Sequence, residues 1–159
     1  MVLTTTARGT PAGVKLKNGF TTKVAFLSNA TINFWEKSTK PPGIDGGELI
    51  EQTTFFNVDV QTFAPRTLFK MTDLTMRAAY DPRLYNALIT QINVADQVSL
   101  HFSDNSTLDF WGVIKAVDFS ECVDGTQPEI NIVVGVTNTD PTTGAEVLPN
   151  YKSPTGTDI

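Results

Sequence analysis

Apolar and polar residues alternate along most of the central part of the chain. Such alternation is typical of β-strands that cover a core with one face and meet solvent with the other, as in antiparallel sheets. It predicts a mainly β protein. The inward positions that it predicts are Val24 and Phe26; Ile32 and Phe34; Phe56, Val58 and Val60; Leu74, Met76, Ala78 and Tyr80; Val98, Leu100 and Phe102; and Ile130, Ile132, Val134 and Val136.

The stretch "STLDFWGVIKAVDF" is apolar on both sides. Leu108, Phe110, Ile114 and Ala116 are predicted to fill one face, and we expect the other face to be a packing or interface surface. That second face consists of Trp111, Val113, Val117 and Phe119. The short turns "SDNS" and "VDGT" on either side predict that 98–137 is a three-stranded meander.

One helix, at about 82–92, is predicted from "YDPRLYNALITQIN". Asp81 can cap its free N–H groups, and Pro82 fits the first helical position, where a missing N–H costs nothing. An apolar side with helical spacing would then cover one opening of the sheet. That side holds Leu84, Tyr85, Leu88, Ile89 and Ile92, and leaves Arg83, Asn86, Thr90 and Gln91 outward.

The segment "KPPGIDGGELIEQTT" places two prolines and three glycines between strand-forming runs. Structureless connections of such length are uncommon in compact domains and are usually functional or disordered. We therefore expect a functional loop at about 39–54. The tails, 1–19 and 140–159, lack periodicity and are predicted to be arms around a β-sandwich core at 20–139. All 159 residues fit one domain.

Composition removes several classes of function. The net charge is −5, and the basic residues are scattered, which argues against a surface that grips nucleic acid. A single cysteine, Cys122, cannot form an intrachain disulfide. No apolar run has the length of a signal peptide or a membrane span, so we expect an unexported protein without a membrane anchor.

The sequence predicts no catalytic site, metal site or cofactor. His101, the only histidine, falls on the polar face of a strand and is interpreted as a solvated side chain. "GIDGGEL" lacks the Lys-Ser or Lys-Thr of a P-loop, and Asp45 and Glu48 lack EF-hand spacing.

Four stretches, taken in order, resemble the major tail tube proteins of long-tailed bacteriophages across 20–151. They are "GIDGGELIEQTTFFNVDVQTFAPRTLF", "AAYDPRLYNALITQIN", "LHFSDNSTLDFWGVI" and "CVDGTQPEINIVVGVTNTDPTTGAEVLPNY". The resemblance implies an antiparallel β-sandwich or partial barrel with one flanking α-helix. Six copies would form a ring, and stacked rings would form the virion tail tube through which DNA leaves. Tubes of contractile phages and type VI secretion systems are similar in architecture.

The resemblance also implies roles for particular residues. The long loop would contact the adjacent ring, with Ile44, Leu49 and Ile50 as apolar anchors. The whole predicted stacking loop comprises Pro42, Gly43, Ile44, Asp45, Gly46, Gly47, Glu48, Leu49 and Ile50. The polar strand faces supply candidates for the lumen wall, although alternation does not distinguish lumen from outer surface. Those candidates are Asn57, Asp59, Gln61, Asp73, Thr75 and Arg77.

The implied partners are copies of the same chain together with tape measure, tail terminator and distal tail proteins. The protein would be made in the host cytoplasm, and DNA would pass without specific binding. A net-negative wall would keep DNA off the surface by repulsion. Two other classes stay open: a monomeric ligand- or glycan-binding β-domain with Trp35 and Trp111 as an aromatic platform, and an enzyme that depends on His101 and Asp109.

Overall fold

A computed structural model describes residues 22–154 of the protein. The described part is mainly β with a single short helix, as predicted. The strands are β1 (Lys23–Phe26), β2 (Trp35–Lys40), β3 (Ile44–Asp45), β4 (Ile50–Glu51), β5 (Phe63–Ala64), β6 (Lys70–Met71), β7 (Leu74–Ala79), β8 (Ala95–His101), β9 (Thr107–Phe119), β10 (Glu129–Val136) and β11 (Asn150–Lys152). A 3₁₀ turn (Pro82–Leu84) leads into helix α1 (Tyr85–Gln91).

The main sheet is antiparallel and curls into a half-barrel. Its strand order is β1-β8-β9-β10-β7-β2, and β11 pairs with the start of β9. The predicted meander, β8 to β10, lies at its centre. The two ends of the sheet lie close together: the Val24 N–H on β1 donates a hydrogen bond to Glu36 Oε1 on β2 at 3.1 Å. In the described part of the chain, no strand pairs with the outer edge of either β1 or β2.

The core lies against one face of this sheet and is closed by Leu84 and Leu88 from the helical segment. Most of the predicted inward positions are buried there, so alternation identified the core face of the main sheet. These residues are Val24, Phe26, Ile32, Phe34, Leu74, Met76, Ala78, Val98, Leu100, Ile130, Ile132 and Val134.

A β-bulge in β9 corrects the predicted second apolar face. Ile114 lies opposite Val134 and Ala116 lies opposite Val133, so Lys115 is an extra residue between them. An extra residue reverses the alternation of all positions that follow it. Ala116 is therefore exposed, while Val117 packs against the core and Phe119 contacts the rings of Tyr80 and Tyr85. The prediction that Val117 and Phe119 share a face with Trp111 and Val113 is wrong.

The helix begins as predicted but turns a different side inward. The Asp81 side chain accepts a hydrogen bond from Arg83 N at 3.0 Å, and Pro82 follows the cap. The first turn is 3₁₀, with three residues per turn, and this shifts the phase of the residues after it. Tyr85 and Ile89 are consequently exposed, and Gln91 is buried.

The burial of Gln91 has a polar cause. Its Nε2 donates to the carboxylate of Asp96 at 3.3 Å, and Asp96 is itself buried. The same carboxylate accepts from the N–H and the hydroxyl of Ser28 and from Gln97 N. A buried carboxylate needs such donors, so Gln91 turns inward although its residue type predicts exposure.

Two boundaries differ from the predicted ones. "FFNVDVQTF" was expected to be a core strand, but it forms turns and bends before β5, and its apolar side chains are exposed, so that prediction is wrong. Part of the predicted C-terminal arm, 140–159, returns to the main sheet as β11. The predicted N-terminal arm, 1–19, lies outside the described residues.

Candidate functional site: an exposed arm and a polar sheet face

Residues 41–73, here called the arm, connect β2 to β7 as a two-legged β-ribbon. β3 pairs with β6, and β4 pairs with β5 farther out. A backbone hydrogen bond extends each pair by one position: Thr72 N donates to the Gly43 carbonyl at 2.9 Å on the sheet side of β3 and β6, and Gln52 N donates to the Thr62 carbonyl at 2.8 Å on the tip side of β4 and β5. The functional loop predicted at about 39–54 is therefore largely one leg of this ribbon, and it is hydrogen-bonded rather than structureless.

Side chains hold the middle and the end of the arm in shape. Arg66 Nε donates to the Glu48 carbonyl at 2.8 Å, across from Gly47, which adopts a φ of +73° that few other residues tolerate. At the arm tip, residues 54–61, the Asn57 side chain accepts from Thr54 N at 2.8 Å and donates to the Val60 carbonyl at 3.0 Å. The tip is thus built by side-chain capping of a turn.

The arm is strongly apolar and almost entirely exposed. At its tip, the relative exposures are 108% for Phe55, 94% for Phe56 and 91% for Val58. So many exposed apolar side chains in one segment make the arm a candidate interaction site. The other exposed apolar residues of the arm are Ile44, Leu49, Ile50, Val60, Phe63, Leu68 and Phe69.

The predicted stacking residues, from Pro42 to Ile50, all lie on the first leg of the arm. Sequence reasoning missed the tip, because the alternation from Phe56 to Val60 was assigned to the core. The adjacent pair Phe55 and Phe56 was the available signal, since neighbouring residues on a strand point to opposite faces.

The face of the main sheet opposite the core carries a set of ion pairs. Lys37 Nζ lies 2.9 Å from Glu129 Oε1, and Arg77 Nη2 lies 2.9 Å from Glu129 Oε2. The hydrogen bond from Lys37, aided by the charge of Arg77, holds the pKa of Glu129 below its ordinary value. Lys115 Nζ lies 2.8 Å from Asp73 Oδ2. This surface, the polar face, is defined by Lys37, Asp73, Thr75, Arg77, Lys115 and Glu129.

The predicted lumen residues separate into two places. Asp73, Thr75 and Arg77 belong to the polar face, whereas Asn57, Asp59 and Gln61 lie at the arm tip and are not part of the main sheet. The structure does not bring the two groups onto one wall.

The two tryptophans of the ligand-binding hypothesis are also apart. Trp35 lines an open cleft of about 1680 Å³ between β1 and β2, whereas Trp111 shares a separate cleft of about 180 Å³ with Val147 and Leu148. The predicted aromatic platform is therefore not formed. Asp109 forms an ion pair with Lys152 at 3.1 Å and accepts a hydrogen bond from Ser99.

Residues 22–154 contain no group of three or more His, Cys, Asp or Glu side chains placed to hold a metal ion. Within the same residues, the helix is too short to span a bilayer.

The fold is similar to that of proteins from large assemblies, although neither a protein-family model nor a curated protein matches the sequence. A chain from the tail of an empty GTA particle with C6 symmetry aligns with a TM-score of 0.56 and 7% identity, covering 77% of this chain and 95% of that chain. A chain from the six-fold symmetrised baseplate of the anti-feeding prophage aligns with a TM-score of 0.55 and 8% identity, covering 92% and 99%. At such identities the shared property is the fold.

Proposed function

We propose that this protein is a structural subunit of a phage-type tail, in which six copies form a ring and stacked rings form a tube that conducts DNA. The fold likeness to chains of a C6-symmetric tail and a six-fold baseplate supports the tail assignment. The observation that carries the self-assembly is the arm, because it exposes phenylalanines that residues 22–154 leave uncovered. Tape measure, terminator and distal tail proteins are the further partners that we propose.

The open edges of the main sheet support closure between copies. β1 and β2 end the sheet without a strand partner in the described residues. Exposed strand edges promote pairing with other chains, and closing a sheet into a barrel removes them. A head-to-tail contact repeated six times closes a ring, so the same surfaces that would be hazards in a monomer become joints.

The arm supports stacking between rings. Its ribbon runs beyond the main sheet, and its three most exposed apolar residues, Phe55, Phe56 and Val58, lie at the far end. An apolar anchor that enters a pocket on a neighbouring copy is the usual source of interface energy. We propose that the arm tip, together with the predicted stacking residues on the first leg, docks on the next ring.

Removing the outer arm tests this function. The register of β3 and β6 allows residues 46–69 to be replaced by a two-residue Asn-Gly turn between Asp45 and Lys70, which would close a tight hairpin. We expect this variant to remain folded, by circular dichroism and thermal unfolding, and to form no tubes in electron micrographs of concentrated protein. Glu121→Gln, in an exposed loop, is the matched control and should assemble as the unmodified protein does.

A baseplate or contractile-type subunit is the second candidate, favoured by the likeness to the anti-feeding prophage baseplate chain. Electron microscopy distinguishes the two. A tube protein extends into long tubes, whereas a baseplate subunit stops at single rings. A chain that remains monomeric at high concentration would contradict both.

A further inference from the structure

Three cations of the polar face form ion pairs with two carboxylates of the same face. Glu129 engages Lys37 and Arg77 together, and Asp73 engages Lys115. Lys40, at the end of β2, is outside these pairs. Lys37, Arg77 and Lys115 would otherwise offer three positive charges to a passing polyanion.

The Glu129 contact is a clamp rather than a single pair. Arg77 reaches it with two nitrogens, since Nε donates to Oε2 at 3.1 Å and Nη2 donates to Oε1 at 3.2 Å. Lys37 donates to Oε1 at 2.9 Å. Both oxygens of Glu129, which is on β10, are thus occupied by donors from the adjacent strand β7 and from β2, one strand farther out. The planar fork of an arginine suits a carboxylate and a phosphate equally well, so the two compete for it.

The Lys115 pair depends on a glycine between the two strands that it joins. Lys115 is the extra residue at the bulge of β9, and Asp73 lies just before β7. Gly135 is on β10, the strand between β9 and β7. A Cβ on Gly135 would lie 2.5 Å from Lys115 Cδ and 3.6 Å from Asp73 Oδ1. The lysine side chain therefore crosses the strand where no side chain obstructs it.

Stability does not explain these pairs. Their side chains are 25% to 56% exposed, and ion pairs in such positions contribute little to folding because water and salt screen them. Their main effect is on the electric field above the sheet, where the two carboxylates reduce the positive charge that a phosphate would meet.

We propose that Glu129, with Asp73 in a lesser role, offsets most of the positive charge of the polar face and so keeps this face from binding the phosphate backbone of duplex DNA. This inference rests on the proposed function, in which this face would meet passing DNA. It replaces repulsion by a net-negative wall with local pairing of charges. A low affinity for DNA then depends on Glu129 and Asp73, since unpaired Lys and Arg side chains bind phosphates by releasing counterions.

Glu129→Gln tests the proposal in the full-length subunit. The variant keeps the side chain's size and removes its charge, which frees Lys37 and Arg77. Fluorescence anisotropy with a short labelled DNA duplex should show binding that is about five- to thirty-fold tighter at low salt than that of the unmodified protein. The slope of log affinity against log salt should steepen by about one to two. Glu121→Gln, with the same charge change elsewhere, should bind as the unmodified protein does.

Two further variants make the result decisive. Lys37→Gln and Arg77→Gln, added to Glu129→Gln, should abolish the gained binding. Asp73→Asn, which frees Lys115 alone, should give a smaller gain by an independent route. Three outcomes would each overturn the proposal. The first is an equal gain in DNA affinity from Glu129→Gln and Glu121→Gln, and the second is a gain that persists after both cations are removed. The third is no gain in folded Glu129→Gln and Asp73→Asn.

The test is separate from that of tube formation. DNA binding is measured on subunits, whereas tubes are seen by electron microscopy. If no tubes form but Glu129→Gln binds DNA more tightly, the proposed assembly is refuted and the proposed effect of charge pairing on DNA binding stands. Tubes with no gain would do the reverse.

Discussion

The main sheet and the arm are both antiparallel β-structures with apolar residues at intervals, yet one is buried and the other is exposed. Leu100 and Ile132 in the sheet have 0% relative exposure, whereas Phe56 and Val58 in the arm have 94% and 91%. The sheet curls around its apolar face and receives Leu84 and Leu88 from the helical segment. The arm is a ribbon two strands wide, which cannot enclose anything. Alternation therefore indicates which residues need cover, but not whether the same chain supplies it.

Substitution in the buried region should have the largest effect on folding. Leu100→Ala or Ile132→Ala removes a fully buried side chain and leaves a cavity, so we expect a loss of about 2 to 5 kcal/mol in the free energy of unfolding. Urea denaturation of the subunit measures it. A loss below about 0.5 kcal/mol would mean that this face is not the packed core.

The opposite result is expected at the arm tip. Replacing Phe55, Phe56 and Val58 together with serine removes exposed side chains, so the free energy of unfolding should change by less than about 0.5 kcal/mol. Assembly into tubes, followed by light scattering and electron microscopy, should be lost. The matched control, Asp59→Ser with Gln61→Ser at the same tip, should assemble normally. Normal assembly of the triple variant would show that the apolar tip is not an interface.

The sequence predicted the elements of the sheet better than the arm, for a physical reason. Strands such as β8 and β10 alternate between core and solvent, so their pattern reflects contacts within one chain. The residues from Phe56 to Val60 carry the same pattern, but no other part of the described chain covers them, so the core strand that the pattern predicted is not formed.

Two other departures arise from features that composition does not encode. The bulge at Lys115 is set by the pairing of β9 with β10, and it moves Val117 to the core side. Gln91 is inward because it faces the buried carboxylate of Asp96. Among the candidate lumen residues, the structure places Asp73, Thr75 and Arg77 together on the polar face, with Asp73 just before β7. Glu129, their cross-strand partner, was not identified as a site residue, since register is a property of the folded sheet.

Trp111 lies between the two extremes of burial and should have an intermediate effect. It is partly covered on the outer side of β9, where Val147 and Leu148 adjoin it. Trp111→Ala should therefore cost about 1 to 2 kcal/mol, less than full burial of an aromatic side chain would give. Trp35→Ala provides the comparison, because Trp35 is 68% exposed and should cost less than about 0.5 kcal/mol. Equal losses in urea denaturation would show that segment 147–148 does not cover Trp111.

The smallest effect on stability is expected at the start of the helical segment. This segment covers the main sheet, and the arm has no such cover in the described residues. Asp81→Ala removes the acceptor for Arg83 N, so the subunit should unfold at a slightly lower temperature, whereas Asp81→Asn keeps a capping oxygen and should lose less.

The side-chain hydrogen bond from Arg83, followed by the backbone one, lowers the pKa of Asp81. A carboxylate whose pKa is lower in the folded state stabilises the fold fully above its ordinary pKa, and that contribution disappears as the pH falls through the folded value. The difference in thermal unfolding between the unmodified protein and Asp81→Ala should thus be constant near neutral pH and shrink below about pH 4. A difference that stays unchanged into strong acid would show that the carboxylate does not cap the helix.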